Sequence, residues 1–392
     1  MTERAGKVAP FESLDILRGL AALWVVMCHA AEHYVGGTSL ERWPIFGFSM
    51  RGQLGVMLFF VISGYCITGA AYSAFASGKK VRRFAFDRAR RIYPPYLSAV
   101  ALGVAYAGSL ILAERWHLIP MVHHPIPLSA RAPFWLANLL MIQCEARQEA
   151  VNGDYWSLCY EVVFYAIIGA ILLIAQWIRK RWSAQAGLTF LSLAVTALTV
   201  ESLAWQIVTG DAGPFPMDLW YQFGLGGLFF LAVEIGSSEF AGYSPKVNRV
   251  NWTVASAGVA LTIVFAITRA AVRDPGGRQT SRLQCCAILF YLALFWVLRK
   301  VKGQLKHRRI LKPLFWLGSF SYSLYLIHAY FLGLVDVPAR RMGCVGNYYV
   351  ISWFLQIIVA VFAAWVFYLL VERRFVSSRQ KRRIATELAE AS

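Results

Sequence analysis

Ten apolar stretches, most of them close to twenty residues long, constrain this chain more than any other feature. They run roughly over 14–34, 53–74, 93–113, 155–177, 186–207, 218–236, 251–270, 284–298, 314–335 and 350–372. About 20 helical residues cross a bilayer core, and hydrocarbon offers no water to pair with peptide groups. Such runs therefore form membrane-spanning helices. Composition agrees, with 58% hydrophobic residues and only 15% charged, where soluble domains carry about 25%. The expected fold is an all-α polytopic membrane protein of about ten transmembrane helices. A single domain over residues 1–375 is expected, with a short basic cytoplasmic tail over 376–392.

The net charge of +18 raises the question of nucleic acid. No nucleic-acid motif accompanies it, and the lipid bilayer explains it better, because cytoplasmic loops of such proteins gather Lys and Arg. With both termini in the cytoplasm, most of the 39 Lys and Arg fall on inner segments. An integral protein of a bacterial cytoplasmic membrane is expected, with no nucleic-acid partner. The first run is read as a retained span and not as a cleaved leader, since Arg18 interrupts it and Glu12 and Asp15 precede it. The seven cysteines show no paired spacing. Cys144 and Cys344 fall in outward loops and could meet in an oxidising compartment.

Ionisable groups inside hydrocarbon are costly and usually functional. Arg18 and His29 both lie on the first span, 11 residues apart. At about 100° per residue they share a face, separated by about 16.5 Å of helical rise. Ala22 and Val25 lie between them, small enough to leave room for a passing group. Counting depth from the span ends puts His29, His328, Glu161 and Glu201 at one level below the outer surface, which suggests a shared polar chamber. Each has a plainer reading as well. Arg18 could pair with Asp15, and His328 could be a packing histidine.

On the inner side, Lys79, Lys80, Arg82, Arg83, Arg88, Arg90 and Arg91 crowd together. They serve as a topology signal or as a phosphate clamp, since Arg makes forked bonds to phosphate. Arg88 and Arg91 would share a helix face. Pro94 and Pro95 are expected to break the chain before the third span. The outward segment 114–154 holds HHPIP, Trp135, Asn138, Asn152 and Asp154. A loop of that length is often functional. It is expected to shape an acceptor site, with Trp135 offering a flat surface to a sugar ring or sitting in an interfacial aromatic belt.

Five motifs come in order: LDILRGLAALWVVMCHA with its Arg18-x10-His29 spacing, LGVMLFFVISGYCIT from Leu54, Arg88-Ala-Arg-Arg91 before Ile92-Tyr93-Pro94, WSLCYEVVFY from Trp156, and SYSLYLIHAYF from Ser321. Together they resemble acyltransferase family 3, membrane O-acyltransferases that modify cell-surface or secreted carbohydrates. The likeness covers residues 13 to about 335. It implies transfer of an acyl group, acetyl in the first place, from cytoplasmic acyl-CoA to a hydroxyl of a carbohydrate or glycolipid at the outer face. Acyl-CoA would be a co-substrate, with no tightly bound cofactor and no metal.

Carried onto this chain, the resemblance makes Arg18 and His29 essential. His29 is expected as general base, with an acyl-histidine as the other option. Glu161 would orient the ring or bind the acceptor. Arg88, Arg91 and Arg18 would hold the coenzyme, and Ser63 or Tyr65 would donate to the oxyanion. Trp156, Ser157, His328 and Trp135 are the remaining candidates for substrate contact. Cys159, Tyr160 and the Ala-Tyr after His328 depart from the usual pattern.

Two rivals remain. HAAEH, from His29 to His33, matches an inverted zinc-protease motif but has no clear third ligand downstream. Mid-depth polar residues also line the paths of transporters and flippases of glycans or lipid-linked sugars. Oligomeric state is not written in the sequence.

Overall fold

The structure is a computed structural model of the 392-residue chain. It describes residues 13–35, 39–117, 131–209, 213–234, 245–268, 282–301, 309–341 and 349–376. Among these every regular element is helical. They are α1 (Ser13–Val35), α2 (Pro44–Ser49), α3 (Gln53–Ala76), α4 (Val81–Arg115), α5 (Ala132–Leu139), α6 (Trp156–Arg181), α7 (Ala184–Thr209), α8 (Met217–Val233), α9 (Pro245–Thr268), α10 (Arg282–Lys300), α11 (Lys312–Ser319), α12 (Ser321–Arg341) and α13 (Tyr349–Leu370).

Each of the ten apolar runs contains helix, but among the described residues seven helices are long and apolar enough to cross a membrane. The sixth and seventh runs give shorter apolar helices, Met217–Val233 and Trp252–Val264. The ninth is divided. Phe320 leaves helical geometry at φ −122° and ψ 21°, so α11 ends and α12 begins anew. The break is stabilised chemically. Ser321 Oγ donates to the Gly318 carbonyl at 3.0 Å, and buried Glu372 accepts from the backbone N–H and hydroxyl of Ser323 at 3.1 and 2.5 Å. A carboxylate at a helix N-terminus satisfies orphan N–H groups and suits the helix dipole.

The double proline differs from expectation in the opposite sense. Helix α4 runs unbroken through Pro94 and Pro95. Two hydroxyls bond the backbone beside the prolines, while the carbonyls that lose an N–H partner are those of Arg90 and Arg91, four residues before each proline. Tyr322 Oη donates to the Ile92 carbonyl at 3.1 Å, and Ser98 Oγ donates to the Pro94 carbonyl at 2.9 Å.

The helices form two compact units, and α1, α3, α4 and α6 are each divided between them. One unit comprises Met57–Arg88 and Tyr160–Leu305, with Met1–Leu14. In it α7, α8, α9 and α10 pack on one another. Its core holds Phe60, Phe223, Phe164 and Trp220, with Phe60 and Phe164 each stacked on Phe223. Helices α3 and α8 approach closely at glycine: a Cβ on Gly64 would collide with the Phe223 backbone, and one on Gly226 with the Val61 carbonyl.

The other unit comprises Asp15–Val56, Ala89–Cys159 and Lys306–Ser392. Its α12 and α13 pack together. Here α1 meets α11 at a second pair of glycines. A Cβ on Gly19 would lie 2.7 Å from the Leu314 carbonyl, and one on Gly318 would strike the backbone of Asp15. Small residues at such crossings let helix backbones approach, which is how membrane helices gain packing contacts.

Replacing Gly318 by Val should force α1 and α11 apart. The expected cost is about 1–3 kcal/mol, read as an earlier thermal unfolding transition of the detergent-purified protein. The Gly108→Ala variant is the control, because no atom lies within 4 Å of its Cβ position.

Candidate active site

All residues of the candidate site lie in the second unit. His29 comes from the outer part of α1 and His328 from the second turn of α12. Asp154 comes from a 3-10 turn, Gly153–Tyr155, just before α6. His29 Nδ1 lies 2.8 Å from His328 Nε2, and the rings are nearly parallel, 6° apart. Asp154 faces both. Its Oδ1 is 3.3 Å from His29 Nε2 and its Oδ2 is 3.2 Å from His328 Nε2. His328 is fully buried, whereas the His29 side chain is 27% exposed, so His29 is the ring that a substrate can reach.

A chain of hydroxyls fixes Asp154. Tyr325 Oη donates to the Asp154 carbonyl at 2.5 Å and is 2.5 Å from Ser157 Oγ. Tyr155 Oη donates to the Leu326 carbonyl at 2.8 Å and lies 3.3 Å from Tyr330 Oη. Beneath the turn, buried Asn138 donates to the Phe134 and Glu149 carbonyls, both at 2.9 Å, and accepts from Val151 N–H at 2.8 Å. Tyr96 Oη donates to the Asn138 carbonyl at 2.7 Å. The described part of the long segment between α4 and α6 is therefore tied into the unit through its own polar groups. Its HHPIP stretch lies outside the described residues.

The remaining sequence candidates separate into groups. Arg18 pairs with Asp15 at 3.6 Å, as the plain reading had it, but it also acts electrostatically on buried Glu372. Arg91 acts on the same carboxylate. Two of the candidate coenzyme cations thus act at a distance on one buried carboxylate, which also caps α12. Ala22 and Val25 are buried, and Gly55 of α3 lies against Val25. Ser157 is buried on Tyr325, Trp156 is half-buried, and Trp135 sits edge-on to Phe134.

In the first unit, Glu161 accepts from Ser63 at 2.9 Å and from Tyr165. Tyr65 donates to buried Glu234 at 2.9 Å, and Arg299 Nε donates to the same oxygen at 2.8 Å. The hydroxyls of Ser63 and Tyr65 are thus engaged by carboxylates. Arg88 is half-buried, and Glu201 is exposed. The level of polar groups inferred from depth is real for the two histidines, while the carboxylate that meets them is Asp154. Depth counting missed it because Asp154 lies just before the span begins. The signal present was the NGDYW stretch beside a motif already singled out.

The three site residues are near enough to share a cation, their atoms lying within 4.8 Å of one another. The 2.8 Å between imidazole nitrogens is a hydrogen-bond distance. Two nitrogens on a tetrahedral zinc at 2.0–2.1 Å would stand about 3.3 Å apart. The spacing fits a shared proton. Among the described side chains, Glu32 of the HAAEH stretch meets Cys28 at 3.6 Å, and the side chain of His33 lies outside the described residues, as does Cys344.

A family model described as an acyltransferase domain matches residues 11–372. The O-acetyl transferase of Shigella phage Sf6 is 24% identical over 367 residues, covering 93% of this chain and 95% of the relative. The peptidoglycan O-acetyltransferase of Listeria monocytogenes serovar 1/2a is 24% identical over 350 residues, or 81% of this chain. The chain spans about half the length of that relative, 48%. No solved structure matches the chain.

Asn138→Leu keeps the volume but leaves Val151 N–H and two carbonyls without their partner. With three groups affected at about 1–3 kcal/mol each, the loss should be at least about 3 kcal/mol. Thermal unfolding in detergent reads it directly.

Proposed function

The chain belongs to acyltransferase family 3, and on that premise we propose that it moves an acyl group, acetyl first, from cytoplasmic acyl-CoA to a carbohydrate hydroxyl at the outer face. The membrane in question is the bacterial cytoplasmic membrane, with both termini inside. The observation that carries the reading is His29, a partly exposed imidazole backed by a second imidazole and a carboxylate, at the far end of a helix whose inner end bears Arg18.

Imidazole is the side chain best suited to take a proton near neutral pH. As the acceptor oxygen attacks the thioester carbonyl, His29 removes its proton. The thiolate of the coenzyme then leaves and is protonated in turn. The coenzyme's phosphates are bound by Arg18 and Arg91, with Arg88 one helical turn from Arg91 on α4. Glu372 holds the first two guanidinium groups in place until the phosphates arrive. The acyl arm must then cover about 16.5 Å of rise along α1. Ala22 and Val25 are buried on that path, so the neighbours of α1 must part to admit it. The name of the Listeria relative supports a glycan acceptor, and peptidoglycan and other envelope polysaccharides are the first to try.

Purified protein with radiolabelled acetyl-CoA and a glycan panel tests this. His29→Ala should lower transfer by at least about 10²-fold, the usual size of acid–base assistance. Arg18→Ala and Arg91→Ala should raise KM for acetyl-CoA by about tenfold or more, as expected when a charged hydrogen bond worth about 1.5–3 kcal/mol is lost. Unchanged transfer by His29→Ala would remove the proposed centre.

A further inference from the structure

His328 lies among acceptors. Its Nδ1 is 3.0 Å from the Leu324 carbonyl and 2.9 Å from the Tyr325 carbonyl, while its Nε2 is 3.2 Å from Asp154 Oδ2. A neutral imidazole has one N–H. With that hydrogen on Nδ1, Nε2 sets its lone pair against the Asp154 carboxylate and has only a His29 N–H to accept from. With a proton on both nitrogens, Nδ1–H donates to the two carbonyls and the single Nε2–H is shared between Asp154 Oδ2 and His29 Nδ1. The count closes on His29. Its Nδ1 accepts from His328 Nε2 at 2.8 Å, and its Nε2–H donates to Asp154 Oδ1 at 3.3 Å. One imidazolium and one carboxylate then cancel, as buried charges must.

Take one proton away and the arrangement is poorer. His29 Nδ1–H donates to His328 Nε2, His29 Nε2 carries a lone pair, and Asp154 faces two nitrogens without hydrogens. This is nevertheless the form in which His29 can act as a base. The three residues are therefore built around a state with one proton more than the base holds at the start of the reaction. That extra proton is the one that an attacking hydroxyl gives up. A site complementary to the loaded state favours the transition state over the ground state.

We propose that His328 is the proton-holding partner of His29 in acyl transfer, with Asp154 as its counter-ion, so that the three work as a two-step relay. The inference rests on the acyltransferase reading above and adds the route of the proton. The acceptor O–H bond breaks and its proton goes to His29 Nε2. The His29 Nδ1–H bond breaks in concert and that proton goes to His328 Nε2. The freed oxygen pair forms the C–O bond to the acyl carbon, and the carbonyl pair moves onto its oxygen. On collapse the C–S bond breaks and the pair leaves on sulfur. The proton on His29 Nε2 passes to the thiolate, and that on His328 Nε2 returns to His29 Nδ1. Ester, free thiol and both neutral rings are regenerated.

The test is a proton inventory: acetyl transfer measured under single-turnover conditions in mixtures of light and heavy water. Two protons in flight give a curved dependence on the deuterium fraction for the wild type. His328→Gln retains an amide near the Nε2 position but holds no extra proton. It should give a straight line, a rate lower by about 10²–10⁴-fold, and an unchanged KM for acetyl-CoA. Asp154→Asn should lower the rate in the same direction while melting within a few degrees of wild type. A straight line for the wild type overturns the relay even where a variant fails to fold. So does a curved line that persists in His328→Gln. A stoichiometric metal whose chelation abolishes transfer would overturn it in favour of a metal centre. In each of these cases His29-dependent transfer still stands, whereas its absence from the wild type would sink the acyltransferase reading itself.

Discussion

Everything at the candidate site depends on keeping two imidazoles and a carboxylate in contact where water is scarce. Such a group is tolerable only if its charges cancel and its hydrogen-bond count closes. Asp154 meets both rings, and the rings meet each other. Loss of any one partner leaves the others with unpaired polar edges. The surrounding architecture follows from that requirement. Asp154 sits on a short turn pinned by Tyr155, Ser157 and Tyr325, and Asn138 secures the chain just before it.

The same unit repeats the logic near the start of α1, again with one carboxylate among basic groups. Glu372 is a buried anion near Arg18 and Arg91, and it also caps α12, the helix that carries His328. The arginines and the histidine pair are linked through rigid elements: α1 bears Arg18 and His29, while α12 joins Glu372 to His328. The close glycine crossing of α1 and α11 keeps α1 in register with the start of α12.

The first unit makes a useful contrast. Its carboxylates, buried Glu234 and half-buried Glu161, are also satisfied, by Tyr65 with Arg299 and by Ser63 with Tyr165. Hydroxyls that looked available on the sequence are spent there. Motif residues chosen for their chemistry can thus be occupied by local pairing, which spacing along the chain does not reveal.

Apolar runs, basic inner segments and the order of five motifs determined much by themselves: an all-helical membrane protein, its acyltransferase family, and His29 and Arg18 on one face of one helix. These are local properties, set by helical period and by the cost of bare peptide groups in hydrocarbon. The ninth run was less legible because its Ser, Tyr and His residues dilute the apolar signal, and its break at Phe320 depends on remote Glu372. Helix α4 runs on through Pro94 and Pro95, where residue type alone predicts a break. Only the tertiary structure decided that His328 is the partner of His29 and that Asp154 is the carboxylate between them. Their positions, 29, 154 and 328, follow no period. They meet because packing brings three separate elements together and because a buried acceptor must find its donor.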